Sequence, residues 1–364
     1  MRYYLIAGEA SGDLHGSHLI KELKLKDPNG IFRAWGGDKM EAAGANIIKH
    51  YKSLAFMGFW EVLTNLSTIL RNIKFCKTDI LEFKPDALIF IDYPGFNLRI
   101  AKWAKSQGIK TIYYISPQIW AWKTSRVHAI KRDIDLMLVI LPFEKDFYRR
   151  YNYPVTFVGH PLLDEIQMDT GKQLNTSNWI ALLPGSRRQE INKILPVMAQ
   201  VVTFFPNKKF VLACAPGIEL EYYNQFIGTA NIEKVVGDTY GVLKKAEAAI
   251  VTSGTATLET ALLGVPQIVV YKSNSINYWL YKTLIKVSYI SLVNLIAGRE
   301  LVREIIQEEC HPKNLAEVLQ SVLGEENKME FNAKYQFLRT RLGGPGASKR
   351  AAEAIEKSIL CKPF

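Results

Sequence analysis

The sequence predicts an α/β protein built as two doubly wound parallel-sheet domains facing each other across a cleft. Three observations predict it. Short β-rich apolar runs alternate with helix-like stretches along most of the chain, the pattern of buried strands joined by helical crossovers. The alternation stops at a polar stretch from Asp164 to Asn178, which reads as a linker, and then restarts. At 364 residues the chain also exceeds one ordinary core of ~150 residues. The expected division is an N-terminal domain over residues 1–165, a C-terminal domain over 166–345, and a terminal segment over 346–364. That segment is expected to pack back on the N-terminal domain or on a partner chain.

In the first half, strands are expected at Tyr3–Ala7, Ile31–Trp35, Asp86–Ile91, Lys110–Ile115, Asp135–Leu141 and Val155–Val158. Helices are expected around Leu14–Leu25, Phe59–Phe83, Leu98–Ser106, Trp122–Lys131 and Phe143–Tyr151. In the second half, strands fall at Trp179–Leu183, Phe210–Ala215, Ile232–Val236, Ala248–Thr252 and Gln267–Tyr271, again with helices between. The end of the chain is helical only, with a Gly343-Gly344-Pro345-Gly346 break before a last helix from Ala347. Ligands of such sheets sit beyond the carboxyl ends of the strands, on helix N-termini.

Composition narrows the class. Hydrophobic residues at 48% and charged residues at 22% are globular values and exclude disorder. Cys76, Cys214, Cys310 and Cys361 are scattered, which fits a reducing compartment and argues against a disulfide scaffold or a zinc site. The first strand is reached at once and is followed by Glu9 and Asp13, unlike a signal peptide. No uninterrupted apolar run of ~18 residues is present to span a membrane. The balance of 46 Lys+Arg against 35 Asp+Glu gives +11 and favours an anionic partner. The expectation is a soluble cytoplasmic protein with a basic face.

The first strand runs into Gly8-Glu9-Ala10-Ser11-Gly12-Asp13 and a helix. Glycines permit a tight turn there, and the helix start offers N–H groups to an anion, but the spacing is not the dinucleotide fingerprint GxGxxG. An ordinary turn capped by Asp13 explains it equally well. His15 and His18 share a helix face without further metal-ligating partners in the sequence around them. Asp92 follows an apolar strand and precedes Pro94-Gly95, so it stands at a strand's carboxyl end, where it either caps a turn or takes a proton from a hydroxyl nucleophile. The loop Ser116-Pro117-Gln118-Ile119-Trp120-Ala121-Trp122, followed by Arg126, offers either a sugar- or acyl-contacting surface or local packing.

In the second half, Pro184-Gly185-Ser186-Arg187-Arg188 forms a strand-to-helix turn with a hydroxyl and a guanidinium at its mouth, a plausible diphosphate clamp. Ser253, Gly254 and Thr255 open another helix and would present hydroxyls and N–H groups to phosphate. Glu259, one turn on, can accept from two ribose hydroxyls, or it is simply a carboxylate near the positive helix end. Together these turns read as a nucleotide-diphosphate site. No Asp-x-Asp motif stands near them, so no metal is expected.

Leu54–Leu70 carries Phe56, Phe59, Trp60 and Leu63 on one face, with Lys49 and Lys52 before it and Arg71, Lys74 and Lys77 after it. An aromatic amphipathic helix with basic flanks is the pattern of an interfacial membrane binder, although a core-facing stripe has the same period. Tyr278-Trp279-Leu280-Tyr281 is a second, less regular candidate.

These motifs, in order over nearly the whole chain, resemble the lipid-A-disaccharide synthase family. The resemblance rests on the Gly8–Asp13, Ser116–Trp122, Leu141–Glu144, Val158–Pro161, Leu182–Arg187, Ser253–Glu259 and Ser291–Glu309 segments. It implies an inverting glycosyltransferase with two Rossmann-like domains of the GT-B type, whose N-terminal domain faces acceptor and membrane and whose C-terminal domain binds the UDP-sugar. The implied reaction joins UDP-2,3-diacylglucosamine to 2,3-diacylglucosamine 1-phosphate through a β(1→6) bond, releasing UDP. No cofactor is implied, since the UDP-sugar is a substrate. Asp92 and Arg187 are implied to be catalytic, and Ser186, Arg187, Ser253, Gly254, Thr255 and Glu259 to hold UDP. Acceptor or sugar contacts are implied at Glu9, Ser11, Asp13, Ser116, Gln118, Trp120, Arg126 and Asn294. The protein would lie against the anionic inner face of the inner membrane, and a homodimer is compatible with it. The chain departs from the family pattern at Gly95, where relatives often carry a second carboxylate, so the weight of base catalysis falls on Asp92.

Two rivals share the motifs: a UDP-sugar epimerase of the same fold, and a nucleotide-regulated lipid-binding protein without turnover. Nucleic-acid binding is the weakest rival, because the basic residues are dispersed and no recognition motif is present, so no nucleic-acid partner is expected.

Overall fold

In a computed structural model the chain divides into two compact units, Met1–Asp164 with Gly343–Phe364, and Glu165–Leu342. The structure describes residues 1–54, 66–168, 178–274 and 288–361. Phe56, Phe59, Trp60 and Leu63, the Tyr278–Tyr281 segment and most of the expected linker lie outside the described residues.

The first unit holds seven parallel strands: β1 (Arg2–Ala7), β2 (Ile31–Gly36), β3 (Asn46–His50), β4 (Ala87–Ile91), β5 (Thr111–Tyr114), β6 (Leu136–Val139) and β7 (Thr156–Phe157). Their order across the sheet is β3-β2-β1-β4-β5-β6-β7. The second unit holds six: β8 (Trp179–Leu183), β9 (Lys209–Cys214), β10 (Ile232–Val236), β11 (Ala246–Thr252), β12 (Gln267–Tyr271) and β13 (Glu304–Ile306), in the order β10-β9-β8-β11-β12-β13. Each sheet therefore runs outward in one direction from its first strand and then reverses, which is the Rossmann order. The reversal places the switch point between β1 and β4 in one unit and between β8 and β11 in the other. Register there is tight: Ala7 pairs with Ile91, and Leu183 with Val251. The residues that follow these four are the ones singled out from the sequence.

Two strands escaped the sequence reading, β3 and β13. Both are short sheet edges, the first half-buried and the second only three residues long, so neither carries a full apolar run. Strands of the central sheet are buried along their length, as in β4 with its sequence Ala-Leu-Ile-Phe-Ile. The helix Leu66–Phe83 is fastened to the first sheet by a buried polar chain. Trp35 Nε1 donates to the Tyr4 hydroxyl at 2.9 Å, and that hydroxyl donates to Asp79 at 2.7 Å. Arg33 closes the chain on the other Asp79 oxygen at 2.9 Å.

The last helix, Ala347–Leu360, belongs to the first unit and lies along the helix Ala10–Lys26. Asp164 caps it, accepting from the N–H groups of Gly346, Ala347 and Ser348 at 2.5, 3.2 and 3.0 Å. Lys26 reaches Glu353 and Glu356 along the same seam.

Glu144, at the start of the helix Glu144–Arg149, is 1% exposed and accepts from the Ile140 and Leu141 amides at 3.2 and 2.9 Å. Burial outweighs those two donors and pushes its carboxyl from 4.5 up to about 8. Between these values the folded protein keeps a proton that the unfolded chain has lost, so this group's stabilising contribution fades as pH rises through the window. Glu144→Gln should therefore flatten the fall in melting temperature between about pH 5 and about pH 8. Parallel melting curves for parent and variant over that range would place the carboxyl in its ordinary state.

Candidate active site

At the first switch point, Gly8 follows β1 and Asp92 follows β4. A Cβ at Gly8 would overlap the Tyr93 ring, so only glycine lets that ring lie on the turn. Asp92 and Tyr93 both take the left-handed conformation, with φ of 45° and 48°. Two such non-glycine residues in succession cost of the order of 1–3 kcal/mol each and need external support. Asn97, fully buried, donates to the Asp92 carbonyl at 2.7 Å, and the Tyr113 hydroxyl donates to the same oxygen at 2.5 Å. The peptide is thus clamped from the following helix and from β5.

The clamp fixes the backbone that carries the Asp92 carboxylate, near Glu9 on the turn after β1. Burial, then the neighbouring charge of Glu9, push Asp92 up to about 6, against a smaller opposing effect of the Tyr93 amide. Glu9 itself is exposed at the N-cap of the helix Ala10–Lys26, with Ser11 exposed in its first turn. Arg126 is half-buried, and its charge is felt at the Tyr113 hydroxyl, so it stands near the same turn. Gln118 is exposed, and Trp120 packs edge-on against Phe143 with centroids 4.8 Å apart. Gly95 is exposed, and among the described residues nothing lies within 4 Å of where a side chain would begin.

Three residues expected to contact sugar have hydrogen-bond partners within the protein. Asp13 is 3% exposed and accepts from the Gly37, Lys39 and Met40 amides at 2.7, 3.1 and 3.1 Å. It caps the neighbouring helix Asp38–Ala42 rather than its own. Ser116 is buried, with its hydroxyl 2.8 Å from that of Tyr148. Asn294 is fully buried and all its hydrogen-bonding capacity is used: Nδ2 donates to Val302 and Glu304, and Oδ1 accepts from Leu301 and Val302.

At the second switch point, β8 leads to Pro184–Arg187 and β11 to Ser253–Thr255. Arg187 is 70% exposed at its side chain and pairs with Glu190 at 3.1 Å. Gly254 and Thr255 are exposed where the helix Thr255–Leu262 begins, and the first N–H groups of a helix have no partner within it. The Ser253 hydroxyl donates to the Ile290 carbonyl at 2.8 Å. Ile290 is in turn held by Glu304, which accepts from the Ile290 and Ser291 amides, the Ser291 hydroxyl and Asn294. Asn294 and Glu304 therefore steady the Ser253 turn from behind. Glu259 is half-buried, and burial raises its carboxyl above the usual range while the Tyr240 hydroxyl, 3.2 Å away, opposes the shift.

Asn97, Tyr113, Glu190, Tyr240 and Glu304 were not picked out from sequence. Only Glu190 carried a local signal, an acidic residue in the first turn of a helix that follows Gly-Ser. Among the described residues no group of three or more His, Cys, Asp or Glu stands together as a metal site.

Comparison with known proteins bears on family and fold. Residues 3–358 match the family model described as Lipid-A-disaccharide synthetase. The lipid-A-disaccharide synthase of Trichlorobacter lovleyi is 39% identical over 369 residues, covering 97% of this chain and 96% of its own. Solved structures share the fold at low identity. A putative UDP-N-acetylglucosamine 2-epimerase from Listeria monocytogenes has a TM-score of 0.68 at 14% identity, with 100% of this chain and 97% of that one covered. The calicheamicin glycosyltransferase has a TM-score of 0.60 at 14% identity, with 98% of each chain covered. The epimerase likeness extends to fold alone, whereas the synthase likeness runs through sequence from end to end. The chain belongs to the lipid-A-disaccharide synthase family, and is a glycosyltransferase with two Rossmann-like domains of the GT-B type.

Proposed function

We propose that this chain joins UDP-2,3-diacylglucosamine to the 6-hydroxyl of 2,3-diacylglucosamine 1-phosphate, with inversion, and releases UDP. The observation that carries the mechanism is Asp92, clamped at the end of β4 with its carboxyl at about 6. Such a group is ionised at neutral pH yet basic enough to accept a proton as the hydroxyl attacks. Oxygen–carbon bond formation at the anomeric centre then breaks the bond to UDP, and negative charge gathers on the departing diphosphate. In the second unit, Arg187 and the N–H groups opening the helix Thr255–Leu262 answer that charge, and donors fixed in advance act most strongly on the transition state. Glu259, with one oxygen occupied by Tyr240, turns the other to the ribose hydroxyls. The first unit serves the acceptor and the second the nucleotide. The family assignment sets aside both the epimerase and the lipid-binding protein without turnover.

The reading extends to an anionic membrane surface, which both acylated substrates require. Among the described residues no helix is long and apolar enough to cross a membrane. The helix Leu66–Phe83 follows Phe56, Phe59, Trp60 and Leu63 in sequence, and exposes Leu70 at 57% and Leu81 at 49%. Eleven residues separate them, close to three helical turns, so they share a face with the exposed Lys74. Apolar burial and attraction of about 1 kcal/mol per basic contact would act together.

Asp92→Asn keeps the shape but cannot take the proton, so turnover should fall ~100-fold or more while UDP affinity holds. Loss of UDP binding in that variant would make Asp92 a structural residue. Glu259→Ala should weaken UDP binding by about 1–3 kcal/mol in calorimetric titration. Unchanged affinity would return Glu259 to the ordinary helix carboxylates. Because Leu70 and Leu81 are exposed, Leu70→Ser with Leu81→Ser should lower sedimentation with anionic vesicles and spare the melting temperature. Undiminished vesicle binding would contradict a membrane role for this helix.

A further inference from the structure

The turn after β8 already contains an anion. Glu190 Oε2 accepts from the Ser186 and Arg187 amides at 3.2 and 3.3 Å, and Oε1 accepts from Arg187 Nη1 at 3.1 Å. Gly185 has φ of 104°, and a Cβ there would overlap the Glu190 carboxylate. Glycine at this point therefore makes room for the protein's own carboxylate as well as for the turn. An N–H pair at a strand-to-helix turn is ordinarily what such folds present to phosphate.

We propose that Glu190 is a positioning residue: an internal anion that fixes Arg187 for the departing diphosphate and withholds the turn's amides from UDP. The inference rests on the nucleotide reading of the second unit. Arg187 spends one of its five N–H donors on Glu190 and keeps an exposed edge for phosphate. Held at one end, the guanidinium loses less side-chain freedom when the charge on the leaving group develops. The amides, if open, would also hold the UDP product, whose diphosphate carries more charge than the donor's, and so slow its release. Glu190 thus converts a general anion site into one that depends on the guanidinium and on the Ser253–Thr255 turn.

The test separates affinity from turnover. Glu190→Gln removes the charge at constant size, so UDP should bind roughly 3- to 10-fold more tightly, because the diphosphate then competes for the two amides against a neutral amide oxygen instead of a carboxylate. In the same variant kcat should fall by about 10-fold, because Arg187 is no longer held. A merely structural role would lower both. In an Arg187→Ala background the gain in UDP affinity from Glu190→Gln should persist, while the further loss of kcat should vanish. Should Glu190→Gln fail to melt cooperatively, Glu190→Asp, whose shorter arm withdraws the carboxylate from the turn, is read in the same way and should shift both quantities in the same directions. Weaker UDP binding, unchanged kcat, or an equal kcat loss with and without Arg187 would overturn the proposal. Full turnover in Arg187→Ala alone would instead overturn the nucleotide reading beneath it.

Discussion

The first unit depends on a single costly peptide, the one between Asp92 and Tyr93. Both residues sit in the left-handed region, which L side chains reach against steric resistance. The fold sustains it because Asn97 and Tyr113 both bond the Asp92 carbonyl, and because Gly8 lets the Tyr93 ring lie flat on the adjacent turn. In return, a carboxylate leaves the strand end partly removed from water and near Glu9, and its affinity for protons rises. Strain, burial and basicity are successive consequences of one backbone choice.

The second unit uses the same strand order for the opposite charge. Where the first switch point gathers Glu9 and Asp92, the second gathers Arg187 and the start of the helix Thr255–Leu262. In the second unit two carboxylates brace these groups through hydrogen bonds. Glu190 holds Arg187, and Glu304, through Ile290, holds the hydroxyl of Ser253. A base for a hydroxyl needs a poorly solvated carboxylate, and a leaving diphosphate needs fixed donors, so the division of charge between the units follows the division of chemistry.

Much of the fold was legible in the sequence because parallel strands buried on both faces leave continuous apolar runs, as in β4 and β11. Two of the four edge strands were not, since β3 places its two isoleucines between polar residues and β13 is only three residues long. Asp92 could be placed at a strand end from Pro94-Gly95 alone, because turn chemistry is local. The internal partners of Asp13, Ser116 and Asn294 were not legible, because Met40, Tyr148 and Val302 among them come from other elements or other turns. A polar residue in a motif looks the same in sequence whether it faces a ligand or saturates a buried amide. Asn97 and Tyr113 were invisible for the same reason: they act on a backbone oxygen that only the folded sheet brings to them.

The pH dependence of kcat/KM tests the central claim most directly. With Asp92 as the base, the rate should fall tenfold per pH unit below about 6, since only the ionised carboxylate accepts the proton. The residual rate of Asp92→Asn should lose that limb and run flat through the same range. A limb near pH 6 that persists in Asp92→Asn, or a parent enzyme whose rate stays level down to about pH 4, would contradict the account.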